Sequence, residues 1–190
     1  MKIICILALF SCFFMINSQS LPDGTYYIKS GTYGTYWDLC ASNSLCGDQQ
    51  YGNIYIHEPF NDVWQRFIVT KLPNGYYTIQ SQDNGLFATA LDSNVPADTI
   101  FLTPESGAND QQWNLIPRGD NTFIIKPRSY PTLAVAAPPD TDVDIYLEPK
   151  DCKTSLQYYI FEVIQGESNG GMMSLMKAGP KVVRDGSSAK

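Results

Sequence analysis

One histidine, His57, stands in the whole chain of 190 residues. Any Ser-His or Cys-His nucleophile system must use it, and no Gly-x-Ser-x-Gly stretch surrounds a candidate serine. Zinc coordination fails on the same count, because one His and the scattered Cys40, Cys46 and Cys152 offer no ligand spacing. Carboxylates are more numerous. A glycosidase needs two of them facing one bond, and Asp140, Asp142 and Asp144 offer pairs, yet alternating acids in a polar loop are commonly solvated surface. The same Asp140-Thr-Asp-Val-Asp run lacks the Gly and the distal Glu of a helix-loop-helix calcium loop. These residues read as a protein that is not an enzyme, with no metal and no cofactor, and what is left for them is binding.

Charge narrows what is bound. Residues 21–165 carry eight basic and seventeen acidic side chains, a net charge of −9, while residues 166–190 carry four and two. Phosphate-rich partners are held through excess Lys and Arg, so nucleic acid and anionic membranes are both excluded on this ground. Neutral ligands and other proteins remain. Met1–Ser20 has Lys2, an apolar run from Ile3 to Ile16, and Ser18 and Ser20 as small residues two apart, the layout of a secretory signal peptide. The apolar run is shorter than the roughly 20 residues a membrane-crossing helix needs, so no membrane insertion is expected. A secreted, extracellular protein would keep Cys40, Cys46 and Cys152, an odd number that implies one disulfide and one free or buried thiol. The short separation favours Cys40 with Cys46, with the pairing left open.

The elements that position any site are strands. Aromatics make up 13% of residues, and 14 glycines with 12 prolines supply turns, a composition that excludes a helical bundle. Self-comparison reveals a period. Gly24 to Ser30 (GTYYIKS), Gly75 to Ser81 (GYYTIQS) and Asn121 to Pro127 (NTFIIKP) align with Ile28, Ile79 and Ile125 in register, 51 and 46 residues apart. Tyr26/Ile28, Tyr77/Ile79 and Phe123/Ile125 alternate as half-buried strands do. Each copy closes on Gln, any residue, aromatic: Gln65-Arg66-Phe67, Gln111-Gln112-Trp113 and Gln157-Tyr158-Tyr159, with the aromatics 39, 34 and 34 residues after their isoleucines. The five extra residues of the first copy fall near Cys40 to Gly52, an enlarged loop.

Between these markers each copy offers two more extended stretches. They are Thr35 to Leu39 and Asn53 to His57, Leu86 to Leu91 and Thr99 to Thr103, and Thr132 to Ala137 and Asp144 to Glu148. Twelve strands in three four-stranded repeats (24–73, 74–120, 121–165) cannot each bury a face alone and should close round a shared axis. The expected fold is an all-β β-trefoil over residues 21–165, with an irregular β-sandwich as the alternative. Residues 166–190 open on the linker composition Glu167-Ser-Asn-Gly-Gly and read as a disordered tail.

With these motifs in hand, Leu21 to Gln165 resembles the ricin B-chain-like, Gln-x-Trp, β-trefoil lectins. The opening Leu-Pro-Asp-Gly-Thr-Tyr-Tyr-Ile is also similar to small fungal trefoil lectins and to the trefoil protease inhibitors of mushrooms. The resemblance implies that Phe67, Trp113 and Tyr159 are buried framework, and that sugar sites are built once per repeat from an acid on the second strand, a ring at the end of the third, and an Asn or Gln. Counting ten residues from each isoleucine puts Asp38, Thr89 and Val135 at the acid position. The ring position holds His57, Thr103 and Glu148, and the residue before the closing Gln is Trp64, Asp110 or Leu156 in place of Asn. The first repeat alone keeps both acid and ring.

The resemblance therefore implies one sugar site, formed by Asp38, Tyr55, His57, Asn61, Asp62 and Gln65, in a ricin B-type lectin whose partners are glycans or glycoproteins, galactose-type sugars among them. The rival is a trefoil that has lost sugar binding and presents loops to a protein, a protease above all, through the enlarged Cys40 to Gly52 loop. Fold alone does not choose between these.

Overall fold

The computed structural model describes residues 20–39, 52–91, 98–149 and 155–164. The Cys40, Cys46 and Cys152 pairing, the loop from Cys40 to Tyr51, the leader before Ser20 and the tail 166–190 lie outside the described residues. Among the described residues thirteen strands run in chain order: β1 Gly24–Ser30, β2 Tyr36–Asp38, β3 Tyr55–His57, β4 Arg66–Lys71, β5 Tyr77–Ser81, β6 Phe87–Ala90, β7 Asp98–Thr103, β8 Trp113–Pro117, β9 Phe123–Pro127, β10 Leu133–Ala136, β11 Val143–Asp144, β12 Tyr146–Pro149 and β13 Tyr159–Val163.

The outer two strands of each repeat close a barrel. β1 pairs with β4, β4 with β5, β5 with β8, β8 with β9, β9 with β13, and β13 returns to β1, all antiparallel. Closure leaves none of these six strands with an open edge. Inside sit the register isoleucines Ile28, Ile79 and Ile125 with Phe67, Trp113 and Tyr159, every one fully buried, as the repeat alignment requires. The inner strands form three hairpins, β2 with β3, β6 with β7 and β10 with β12, that cap one end. At the cap's centre the Ile54 N–H donates to the Ile100 carbonyl (3.1 Å), Ile100 to Ile145 (3.4 Å) and Ile145 back to Ile54 (3.0 Å). This ring marks a threefold pseudo-axis. The fold is a β-trefoil.

Large and small side chains exchange places between copies. Trp37, fully buried on β2, packs edge-on against Phe67 and Tyr159, both centroids 5.7 Å away. The second repeat has Ala88 at that register, and there Trp113 of the barrel is the large residue, its indole N–H donating to the Ala88 carbonyl at 3.0 Å. Core density is kept because volume lost in one layer is regained in the other.

Two expectations change. The stretch expected as one strand from Asp144 to Glu148 is split at Ile145, whose backbone is committed to the axial ring. The separated β11 pairs with β3 of the first repeat, which raises the count from twelve to thirteen. The third cap hairpin is also one residue out of the counted register. Ile56, Leu102 and Leu147 lie opposite Trp37, Ala88 and Val135, so the structural equivalents of Asp38 are Thr89 and Ala136, and not Val135. The cause is local. The turns after β1 and β5 close with Ser30 N–H to Thr35 (2.7 Å) and Ser81 N–H to Leu86 (2.8 Å), with Gly34 and Gly85 at positive φ. The third repeat has Pro127 there, which has no N–H to give, and its turn takes one residue more.

Candidate functional site

β2 and β3 alternate about the core. Trp37 and Ile56 point inward, so Asp38, with Tyr55 directly opposite, and His57, opposite Tyr36, share the outward face. Burial on this face is nevertheless deep: Asp38 is 0% exposed and His57 8%. Among the described residues two segments lie against it. The first is the loop from Glu58 to Trp64, whose Trp64 carbonyl accepts from the Leu39 amide at 3.2 Å. The second comes from the third repeat: the Asp142 N–H donates to the Ile56 carbonyl at 2.8 Å, and Asn53 donates to the Asp144 carboxylate at 3.0 Å.

His57 is the junction of both. Its Nδ1 lies 3.2 Å from the Glu58 carbonyl and its Nε2 3.2 Å from the Asp142 carboxylate. Both partners are acceptors, so only the imidazolium donates to both at once. The ring stacks on Phe60, centroids 4.4 Å apart at 26°. Tyr55 is half-buried, and desolvation, helped by the Asp144 carboxylate, raises its phenol above the ordinary value.

Gln65 fixes the loop from below. It is 1% exposed; its Oε1 accepts from the Phe60 and Asn61 amides (2.9 and 3.3 Å), and its Nε2 donates to the Glu58 carbonyl (2.8 Å). Gln111 does the same for the Ser106 amide and Pro104 carbonyl, and Gln157 donates to the Pro149 carbonyl. Each Gln ends a single 3₁₀ turn, Val63–Gln65, Asn109–Gln111 or Ser155–Gln157. The Gln of the repeat motif is thus a staple on the loop that follows each cap hairpin. Asn61 occupies the left-handed region at φ 58°, where the second repeat has Gly107 at φ 68°.

The six expected site residues are therefore brought together in two tiers. Asp38, His57 and Gln65 lie beneath, and both ends of the Gln65 amide are engaged by the backbone of the loop. Tyr55 and Asp62 are partly exposed and Asn61 is exposed. In the second repeat Thr89 and Thr103, their hydroxyls 2.6 Å apart, both accept from Gln111. In the third, Ala136 has no polar atom in its side chain. Sequence reasoning missed the Asp142 contact and the exposure of Phe60 and Trp64, 54% and 41%. Two rings within five residues, on either side of Asn61 and Asp62, were the available signal.

The fold has relatives. Residues 61–146 match the model of the ricin-type β-trefoil lectin domain-like family. The chain resembles the ricin-type β-trefoil lectins. Among solved structures, the designed threefold-symmetric protein ThreeFoil is 17% identical with a TM-score of 0.66, over 75% of this chain and 100% of that one. The Rhizoctonia solani agglutinin is 16% identical, TM-score 0.63, over 77% and 99%. A Macrolepiota procera ricin B-like lectin, in complex with lactose, is 14% identical, TM-score 0.62, over 77% and 99%. At these identities the likenesses establish the fold. No curated protein matches the chain.

Proposed function

We propose that the chain is an exported, non-enzymatic carbohydrate-binding protein whose one sugar site lies in the first repeat. The observation that carries this reading is the difference between repeats: among the described residues an acid, a ring and an amide-bearing loop converge only there, as Asp38, His57 and Asn61 with Asp62. In this reading Asn61, Asp62 and Tyr55 meet the sugar hydroxyls, His57 and Gln65 hold the loop that carries Asn61 and Asp62, and Asp38 lies buried beneath, opposite Tyr55. A ricin-type lectin-like match over residues 61–146, which begins at Asn61, supports carbohydrate binding, and so does a lactose complex among the structural neighbours.

Asn61→Gly is the decisive variant, because it keeps the left-handed backbone, as Gly107 does, and removes only the amide. Titrated against a glycan panel, it should bind about tenfold more weakly than the parent with its melting temperature nearly unchanged, the loss of about one hydrogen bond. Equal binding moves the site elsewhere. Failure of the parent to bind any glycan, with activity in a parallel protease-inhibition panel, puts the protease-inhibitor reading in its place.

A further inference from the structure

The loop Glu58-Pro-Phe-Asn-Asp-Val-Trp is held rigidly and yet displays apolar rings. Gln65 pins its backbone at Glu58, Phe60 and Asn61, the Asp62 carboxylate accepts from the Trp64 amide at 3.1 Å, and the Trp64 carbonyl is tied to Leu39. Burying such rings is favoured by the hydrophobic effect, and the pinned backbone keeps them out. Here Phe60 rests on His57 by one face, and His57 is clamped in turn by Asp142. Trp64 stands 41% exposed beside the end of β2.

Apart from His57 beneath Phe60, the charged side chains around these rings among the described residues are acids. Glu58 and Asp62 belong to the loop, and Asp142, with 42% of its side chain exposed, approaches from the third repeat. The loop has no basic residue. The first one after it, Arg66, has its Nε buried, and Lys29 on β1 is paired with Glu162 at 3.1 Å.

We infer that Phe60 and Trp64 are the stacking platform of the first repeat and that the carboxylates of Glu58, Asp62 and Asp142 select saccharides bearing a free amine, such as glucosamine oligomers. This rests on the carbohydrate-binding reading and names its ligand class. The apolar face of a pyranose stacks on an aromatic ring, and a ring ammonium is drawn both by the negative face of Trp or Phe and by the surrounding acids. Uronic, sialic and sulfated sugars meet the same acids as repulsion. Neutral sugars gain the stacking alone.

The test is calorimetric titration of the full chain with glucosamine tetramer, N-acetylglucosamine tetramer and lactose, at low and high salt. The amine form should bind about tenfold more tightly than the acetylated form at low salt, and the gap should shrink as salt screens exposed charge. Glu58→Gln removes one of these carboxylates at a residue held only through its backbone, and should narrow the amine preference while leaving the acetylated sugar bound as before. Trp64→Ala, a change at an exposed position, should weaken both forms about tenfold. Equal affinity for amine and acetylated forms, or unchanged binding by Trp64→Ala and Phe60→Ala, overturns this inference and leaves a sugar site of different construction. Absence of binding to every saccharide overturns it together with the reading beneath it.

Discussion

The first and second repeats meet the same structural problem in different ways. At matching register on the cap hairpin the second has Thr89 and Thr103, and the first has Asp38 and His57. Two hydroxyls close on each other and on Gln111, so that repeat satisfies its polar groups from within. An imidazole has a nitrogen on each side, and His57 meets the second with a carboxylate from the third repeat. Internal closure seals a repeat. Borrowing a partner instead draws a second loop against the site and brings acids from two parts of the chain to one face.

Exchanging the large residues should break the comparison most severely. Trp37→Ala and Trp113→Ala each empty a fully buried ring position and should cost about 3–5 kcal/mol in urea unfolding. A midpoint that stays put for either would mean that the two layers do not trade volume as described. The staples come next. Gln65→Ala and Gln111→Ala each strand buried backbone groups and should both cost about 1–3 kcal/mol. Only the first should also weaken sugar binding, because its loop is the one proposed to carry ligand contacts; loss of binding by both would mean that the second repeat has a working site as well.

The smallest expected effect is at high pH. Burial raises the phenols of Tyr26, Tyr36, Tyr55, Tyr77 and Tyr146, and raises that of Tyr159 well above its ordinary value. A phenol whose pKa is higher folded than unfolded stabilises the native state fully below the unfolded value, about 10, and that stability is lost as pH rises through the folded value. Melting temperature should therefore hold to about pH 9 and then fall, with tyrosinate absorbance rising in the same step. Tyr55→Phe imports Phe101, its second-repeat equivalent, and should make the alkaline limb slightly shallower. A steeper limb would mean that Tyr55 is stabilised as the phenolate.

How far the sequence reaches follows from these same residues. Ile28, Ile79, Ile125 and the aromatics of the Gln-x-aromatic motif are wholly buried, and a buried position tolerates few residue types, so the period is visible in one chain. Register slipped where a backbone donor was missing, at Pro127, since counting along a chain assumes turns of equal length. The site was half legible. Asp38, His57 and Asn61 lie in one repeat, but the partner of the buried His57 is Asp142, 85 residues further on, and pattern within a repeat has no information about a loop arriving from another.

The ring of Ile54, Ile100 and Ile145 has a consequence for how the molecule reaches this state. Its bonds join residues 46, 45 and 91 positions apart, and no single repeat can form even one of them. The entropy of closing those spans must be spent before the contacts return anything, which places the ring late in folding and makes folding slow for a chain of this length. Once formed, its three amides are released only together. They should exchange with solvent at a common rate set by opening of the whole trefoil, whichever repeat frays first.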